Sequence, residues 1–113
     1  MVIIRNSIIP FKGFTAINLF GIVFMRKEYA ISYKLENHER IHTRQMIEML
    51  FIPFYIWYII EFLIRLILYK NFSKAYKSIA FEQEAYIYER NKEYFRKRKL
   101  YSWVKYLKRK NYD

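Results

Sequence analysis

The chain has 113 residues, and its hydrophobic content of 54% suits one small domain with a core and argues against extended disorder. Cysteine is absent from the sequence, which excludes a disulfide scaffold and a thiolate metal site. The formal net charge of +11 indicates anionic neighbours, either phospholipid headgroups or nucleic acid, although it is also compatible with simple solubility.

The first third of the chain is rich in Ile, Val, Phe and Tyr, a composition typical of strands. We predict strands in the segments VIIRNSIIP, TAINLFGIVFM and YAISY. Turns are expected at residues 11–13 and 26–28, and a bulge at Gly21. Together these elements predict a short antiparallel sheet at the N-terminus.

Helical sequence begins at Ser32, a candidate N-cap, and continues to Pro53, which should end or kink the first helix. A second helix is predicted over residues 54–69. It is apolar on nearly all sides, so it must be buried in protein or in lipid. Its two charged residues, Glu61 and Arg65, are four apart and can pair on one face.

A third helix is predicted over residues 74–95, after a break at 71–73 in which Ser73 is the expected N-cap. The remaining residues, 96–113, form a basic amphipathic tail. The sequence shows no internal repeat and no linker. We therefore predict one α+β domain, in which a short antiparallel sheet is followed by three to four helices.

The histidines of this chain, His38 and His42, lie four residues apart on the first predicted helix, and Glu39 directly follows the first of them. Residues i and i+4 share a helix face, so both imidazoles can reach one metal ion. A carboxylate beside such an ion can take a proton from a water that the metal activates. This is the H-E-x-x-H arrangement of zinc peptidases. The alternative is a chance match on a lysine-rich helix.

A catalytic zinc site needs a third protein ligand and one open position. Because no further histidine exists, this ligand must be a carboxylate from another helix. In the segment FEQEAY, Glu82 is the preferred ligand, since the small Ala85 one turn later would let the two helices approach closely. Glu84 is the alternative third ligand, and it points to another face. Glu89 and Glu93 are expected on a solvated helix face.

The order H-E-x-x-H-x-x-Q, followed by E-x-x-A on a later helix, resembles the gluzincin branch of zinc metallopeptidases, whose minimal members are about this size. The sequence also resembles small proteins of Bacteroides-like bacteria. The resemblance implies a zincin-like domain with one zinc ion as cofactor. It assigns His38, His42 and Glu82 as zinc ligands and Glu39 as the general base of peptide hydrolysis.

Three further assignments follow from the resemblance. Relatives with E-x-x-A-D carry an aspartate where this chain has Tyr86, so Tyr86 is either a donor to the developing oxyanion or a core tyrosine. Gln45, on the His38 face, is either a hydrogen-bond partner near the site or an ordinary helix residue. Zincins bind peptides by strand addition upstream of the active helix. GIVFM, residues 21–25, is the candidate strand, with a central buried strand as the alternative.

Cations and aromatic residues mix in the C-terminal tail, where Trp103 and Tyr106 stand among lysines and arginines. This favours an anionic membrane surface with the rings anchored at the interface. Nucleic acid is the less favoured partner, because no nucleic-acid motif accompanies the charge, and a solvated tail is the plain alternative. Residues 1–10 lack a signal-peptide pattern, so we expect a cytoplasmic protein, peripheral to or embedded in the inner membrane.

These expectations favour a zinc-dependent metallopeptidase that acts on a peptide or protein substrate. The alternative is a non-enzymatic membrane-associated or adaptor protein whose metal site is structural or vestigial. Metal content and turnover distinguish the two.

Overall fold

Strand-forming residues at the start of the chain do form a sheet, and nearly all the regular structure after it is helical. The computed structural model describes residues 2–107. In chain order the elements are β1 (Val2–Asn6), β2 (Ala16–Leu19), β3 (Ile22–Arg26), α1 (Tyr33–Glu48), α2 (Ile52–Tyr69), α3 (Phe72–Ser78), α4 (Ala80–Tyr88), α5 (Tyr94–Lys97) and a 3₁₀ helix (Ser102–Tyr106). The predicted α+β class, a sheet followed by helices, is confirmed.

The sheet is mixed, with strand order β1-β3-β2. β2 and β3 form an antiparallel hairpin, and the two residues between them, Phe20 and Gly21, have φ values of 55° and 89°. Two such residues make a type I′ turn, so Gly21 is a turn residue and not the predicted bulge. β1 pairs with β3 in parallel. The predicted antiparallel sheet is therefore wrong for β1. Residues 7–15 lead from β1 to β2 at the far edge of the sheet, and β3 then runs between these two strands in the same direction as β1.

The segment YAISY, predicted as a strand, is not one. It spans the turn after β3 and the start of α1, where the Ser32 hydroxyl accepts a hydrogen bond from the Leu35 amide at 3.2 Å. Ser32 is thus the N-cap that the sequence predicts. The helix start takes precedence over the β-propensity of the flanking Ile and Tyr residues.

The helix predicted over residues 74–95 is divided into three. α3 ends and α4 begins at Ile79, whose ψ of 134° interrupts the helical hydrogen bonds. Residues 89–93 separate α4 from α5. The N-cap of α3 is Asn71, which accepts from the amide of Lys74 at 3.0 Å, so the prediction of Ser73 was two residues late.

Aromatic and aliphatic side chains from α1, α2, α4 and the 3₁₀ helix make the core, and its buried members are Met46, Phe54, Ile79, Ala80, Phe81 and Trp103. The Trp103 ring centroid lies 4.6 Å from that of Phe81 and 5.4 Å from that of Trp57. The prediction that Trp103 anchors a membrane-bound tail is therefore wrong, because its ring completes the core. Residues 108–113 of the predicted tail lie outside the described part of the chain.

Polar side chains from other helices hold α4 at both ends. At its start, the amide of Ala80 donates to the carboxylate of Glu61, on α2, at 2.8 Å. At its end, the side-chain amide of Asn37, on α1, donates to the carbonyls of Tyr88 and Glu89, each at 2.9 Å. Both contacts satisfy backbone groups that a helix terminus leaves unpaired. α4 is thereby fixed against α1, which sets the position of its acidic residues.

Candidate metal centre

Three nitrogen and oxygen atoms converge where α4 crosses the buried side of α1. The Nε2 atoms of His38 and His42 lie 3.1 Å apart. The Oε1 atom of Glu82 lies 3.2 Å from the first and 3.1 Å from the second. These three atoms form a nearly equilateral triangle, contributed by the two histidines and the glutamate predicted as ligands.

The triangle has the dimensions of a tetrahedral zinc site. A point about 2.0–2.1 Å from all three atoms, the usual Zn–N and Zn–O distances, lies about 1 Å outside their plane. The angles between donors at that point are about 100°, near the tetrahedral value. Two imidazoles and one carboxylate thus form a donor set that fits a zinc ion.

Each histidine is oriented by a hydrogen bond at its other ring nitrogen. The Nδ1 atom of His38 lies 3.1 Å from the carboxylate of Glu89, and the Nδ1 atom of His42 lies 2.8 Å from Oε1 of Gln45. An imidazole that donates from Nδ1 presents the Nε2 lone pair to a metal. Of the two interpretations of Gln45, the structure favours the hydrogen-bond partner near the site.

Glu89 was predicted to lie on a solvated face, and this prediction is wrong. It is buried, because the end of α4 is anchored to α1 and brings the Glu89 carboxylate to the ring of His38. Its second oxygen lies 3.6 Å from Nζ of Lys34. The sequence offered no signal for this contact, since a glutamate near a helix end is usually exposed.

Glu84, the alternative third ligand, faces away from the histidines. Its carboxylate accepts from Gln45 Nε2 at 2.9 Å, from the hydroxyl of Tyr94 at 2.7 Å and from the guanidinium of Arg98, with Nη2 at 3.0 Å. Arg98 also pairs with Glu48 at 2.8 Å. Glu84 therefore belongs to a buried ion-pair network that holds Gln45 in place, and Arg98 belongs to the domain and not to a solvated tail.

Glu39 is buried beside the triad, and within residues 2–107 its Oε2 atom has no hydrogen-bond partner. Burial raises the pKa of its carboxyl group, while the neighbouring His42 and His38 oppose that shift. A buried carboxylate oxygen without a partner is costly. Its position next to the three converging donor atoms suits an oxygen that accepts a proton from a water molecule.

The charges around the triad favour a bound cation. Burial alone would lower the pKa of His38, but its hydrogen bonds to Glu82 and Glu89 outweigh burial and raise that pKa to about 10. Burial would likewise raise the pKa of Glu82, yet the charges and hydrogen bonds of His42 and His38 together outweigh burial and lower it. Three carboxylates, those of Glu39, Glu82 and Glu89, thus surround two imidazoles. A metal cation can supply the positive charge that protons otherwise provide.

Two cavities, of about 480 and 400 Å³, open next to the triad, and Glu39 and Tyr76 line both. His38 lies in the wall of the larger one and His42 in the wall of the smaller one. The smaller cavity is mainly apolar, and its walls include Pro10, Phe11, Phe14, Leu19, Met46, Phe54 and Tyr58. The site is therefore accessible to a molecule larger than water.

Three tyrosines surround the site, and the sequence pointed only to Tyr86. The Tyr58 hydroxyl donates to Oε2 of Glu82 at 2.6 Å. The ring of Tyr86 lies 4.7 Å from that of His38 and 6.4 Å from that of Tyr76. Burial raises the pKa of Tyr86 to about 12 and raises that of Tyr76 as well, so both phenols stay protonated hydrogen-bond donors. Tyr58 and Tyr76 carried no spacing signal among the 12 tyrosines of the chain.

The strand beside the site is β2 and not β3. The segment GIVFM forms the turn and most of β3, the central strand, whose two edges pair with β1 and β2. The prediction that it binds substrate by strand addition is therefore wrong. Its alternative was a central strand buried on both faces, and the structure confirms the central position, although Ile22 is exposed and Phe24 half-buried on one face. β2 is tied to α1 by Asn18, which donates to the Glu39 carbonyl at 3.1 Å and to the Thr43 hydroxyl at 2.9 Å. In the described part of the chain, no strand pairs with the other edge of β2.

Comparison of the chain with protein-family models, with curated proteins and with solved structures finds no match in any of the three. The resemblance to gluzincins rests on the motif residues quoted above.

Proposed function

We propose that this protein is a zinc-dependent peptidase in which His38, His42 and Glu82 hold one zinc ion. The observation that carries the proposal is the Oε2 atom of Glu39, which is buried beside three converging donor atoms and has no hydrogen-bond partner among residues 2–107. Structural zinc sites are closed by four protein ligands, whereas catalytic sites use three and leave one position open. The triad with its adjoining cavities fits the second kind.

In this proposal Glu39 is the general base. Bound zinc would supply a Lewis acid that activates a water molecule and polarises the scissile carbonyl. The Glu39 carboxylate accepts the proton of the attacking water and then delivers it to the leaving amine.

Tyr76 and Tyr86 are the proposed donors to the oxyanion that develops during attack. Both phenols line the cavity that also contains His38 and Glu39. Both remain protonated at neutral pH, as a hydrogen-bond donor to an anion must. Tyr58 has a different task, because its hydroxyl already orients the carboxylate of Glu82.

The proposed substrate is an extended peptide that pairs with the outer edge of β2 at Ala16, since the Asn18 carbonyl at that edge already accepts from the Tyr55 hydroxyl at 3.1 Å. Strand addition supplies main-chain hydrogen bonds, and adjoining pockets read alternate side chains. The smaller cavity, with aromatic and aliphatic walls and His42 and Glu39 at its edge, suits a large apolar side chain next to the scissile bond. We expect a preference for Leu, Phe or Met at that position.

The test compares wild-type protein with the Glu39→Gln variant, both purified without chelator or nickel resin. We expect one zinc per chain in both proteins by elemental analysis, since Glu39 is not a ligand. Quenched fluorescent peptides with Leu or Phe at the scissile bond should be cleaved by the wild type only. General-base loss typically lowers the rate by on the order of 10²–10⁴.

Three results would contradict the proposal. A wild-type protein that holds no divalent metal, and binds none on titration, has no site of this kind. A protein that binds zinc stoichiometrically but cleaves none of the peptides would instead be the non-enzymatic metal-binding protein of the alternative prediction. Loss of zinc from Glu39→Gln would make Glu39 a ligand and remove it as the base.

A further inference from the structure

The second helix, α2, buries its charged residues and exposes its aliphatic residues, which is the reverse of a typical helix on the surface of a soluble protein. Its charged residues, Glu61 and Arg65, face the protein interior, where they pair at 2.9 Å. Its aliphatic residues face outward, and a stripe spaced by four residues, Ile59, Leu63 and Ile67, exposes 58%, 51% and 74% of its surface. A helix that faces water normally places its charged residues on the outer face.

Both buried charged residues have hydrogen-bond partners besides each other. Glu61 also accepts from the indole of Trp57 at 3.2 Å and from the Ala80 amide at 2.8 Å. Arg65 also donates to the carbonyl of Leu107 at 3.0 Å. Because these partners fix the rotation of α2 about its axis, the aliphatic stripe must remain on the outside.

The stripe is part of a wider apolar surface, which we call the outer face of α2 and which also includes Ile52, Ile56, Ile60, Ile64 and Leu68. An apolar groove of about 640 Å³ runs along it beside Leu107. α2 has a mean hydropathy of 1.6 over its 18 residues and, among the described helices, is the one that meets the length and composition of a membrane span. A contiguous exposed apolar surface of this kind marks an interaction site.

Three lysines on or next to the elements around α2 are exposed. Lys70 follows the last residue of α2, Lys77 lies on α3, which packs against α2, and Lys105 lies on the 3₁₀ helix. The chain as a whole carries a formal net charge of +11. Cations next to an apolar surface attract the phosphates of anionic lipids. The same charge repels a second copy of the chain, which makes a bilayer the better partner of this face.

The arrangement fits a helix that lies in the membrane interface and does not cross it. The inner side of α2 packs on the protein core through Phe54, Glu61 and Arg65. If α2 crossed the bilayer, the helices packed on that inner side would enter the hydrocarbon with their charged residues, at a high energetic cost. A helix with one apolar face free lies parallel to the membrane plane, with that face among the acyl chains.

We propose that the outer face of α2 is immersed in the surface of an anionic lipid bilayer and holds the protein there as a peripheral membrane protein. This proposal is independent of the proposed peptidase activity. It has one consequence for that activity, because Tyr58, on the inner side of α2, contacts Glu82. The metal centre therefore lies on the opposite side of α2 from the lipid, more than one helix diameter, ~10 Å, away.

Co-sedimentation with vesicles tests the proposal. Wild-type protein is mixed with vesicles of phosphatidylglycerol and phosphatidylethanolamine, and separately with vesicles of phosphatidylcholine alone. The test variant carries Ile59→Gln, Leu63→Gln and Ile67→Gln, which remove the apolar stripe without changing the charge. The matched control carries Ile8→Gln, Ile87→Gln and Leu100→Gln, which lie outside α2 and whose side chains are 78%, 55% and 69% exposed.

We expect the wild type to sediment with the anionic vesicles, the test variant to lose at least about tenfold in partition coefficient, and the control to bind as the wild type does. Circular dichroism checks that the variants fold. If the triple test variant does not fold, the single variant Ile67→Gln replaces it. Wild type that stays in the supernatant with anionic vesicles, or equal binding by the test variant, would overturn the proposal. A wild-type dimer in light scattering that the test variant dissociates, without vesicle binding, would overturn it too.

Discussion

Glu82 and Glu84 are two residues apart on α4, and their surroundings predict different consequences for the same substitution. Glu82 converges with the two histidines, whereas Glu84 is the centre of a buried ion-pair network. Glu82→Gln should therefore weaken zinc binding. Glu84→Gln should instead lower the stability of the fold and leave zinc affinity nearly unchanged.

The size of the Glu84→Gln effect follows from its partners. The carboxylate is fully buried and accepts from Gln45, Tyr94 and Arg98. Removing one partner of a buried ion pair costs about 3–5 kcal/mol. Arg98 retains the carboxylate of Glu48 at 2.8 and 3.0 Å, so we expect the lower end, about 3 kcal/mol of unfolding free energy. The amide oxygen of a glutamine can still accept from Gln45, which preserves the orientation of His42.

The Glu82→Gln effect is on the metal. Replacing a hydrogen-bond partner of a zinc ligand typically weakens binding by about 10–100-fold, and replacing the charged ligand itself should exceed that range. We therefore expect zinc affinity to fall at least a hundredfold in Glu82→Gln, and by less than about tenfold in Glu84→Gln.

Two measurements separate the effects. Zinc affinity is measured by competition with a chromophoric chelator, and the free energy of unfolding is measured in urea with metal removed, so that bound zinc does not contribute to stability. Loss of zinc from Glu84→Gln as severe as from Glu82→Gln, with an unchanged unfolding midpoint, would refute these two assignments. That outcome would require α4 to be rotated so that Glu84 faces the histidines.

Four further substitutions probe other contacts. His42→Ala should abolish stoichiometric zinc after dialysis, because two protein ligands rarely hold zinc against buffer, and a retained ion would place the site elsewhere. Asn37→Ala should cost about 1–3 kcal/mol in urea unfolding by leaving the last carbonyls of α4 unpaired, and an unshifted midpoint would deny it a structural role. Tyr76→Phe should retain zinc but lower kcat by about a hundredfold, and an unchanged kcat would show that the Tyr76 phenol does not contact the oxyanion. Gly21→Ala should lower the free energy of unfolding by about 1 kcal/mol because of the φ of 89°. The added Cβ would meet Thr43 Cγ2 at 3.5 Å, an ordinary contact, so sterics add nothing, and an unchanged stability would contradict the turn assignment.

Features that depend on a few neighbouring residues were predictable from the sequence. The four-residue spacing of His38 and His42 places both rings on one side of any helix that contains them, since helix geometry is the same in every protein. The Ser32 cap and the pairing of Glu61 with Arg65 follow from equally local rules. The preference for Glu82 over Glu84 combined helix geometry with the expectation that the small Ala85 lets two helices approach closely, and the structure places Glu82 beside the histidines.

Contacts between residues far apart in the sequence depend on how the elements pack in three dimensions. The parallel pairing of β1 with β3 depends on the path of residues 7–15, and periodicity within a strand says nothing about the path between strands. The contact of Glu89 with His38 requires the end of α4 to be anchored by Asn37, more than fifty residues earlier in the chain. The outward aliphatic face of α2 depends on the interior partners of its ion pair, because a helix that is apolar nearly all round has no rotation preference of its own. Local patterns determine what each segment can form, and packing between segments determines which side chains share a site.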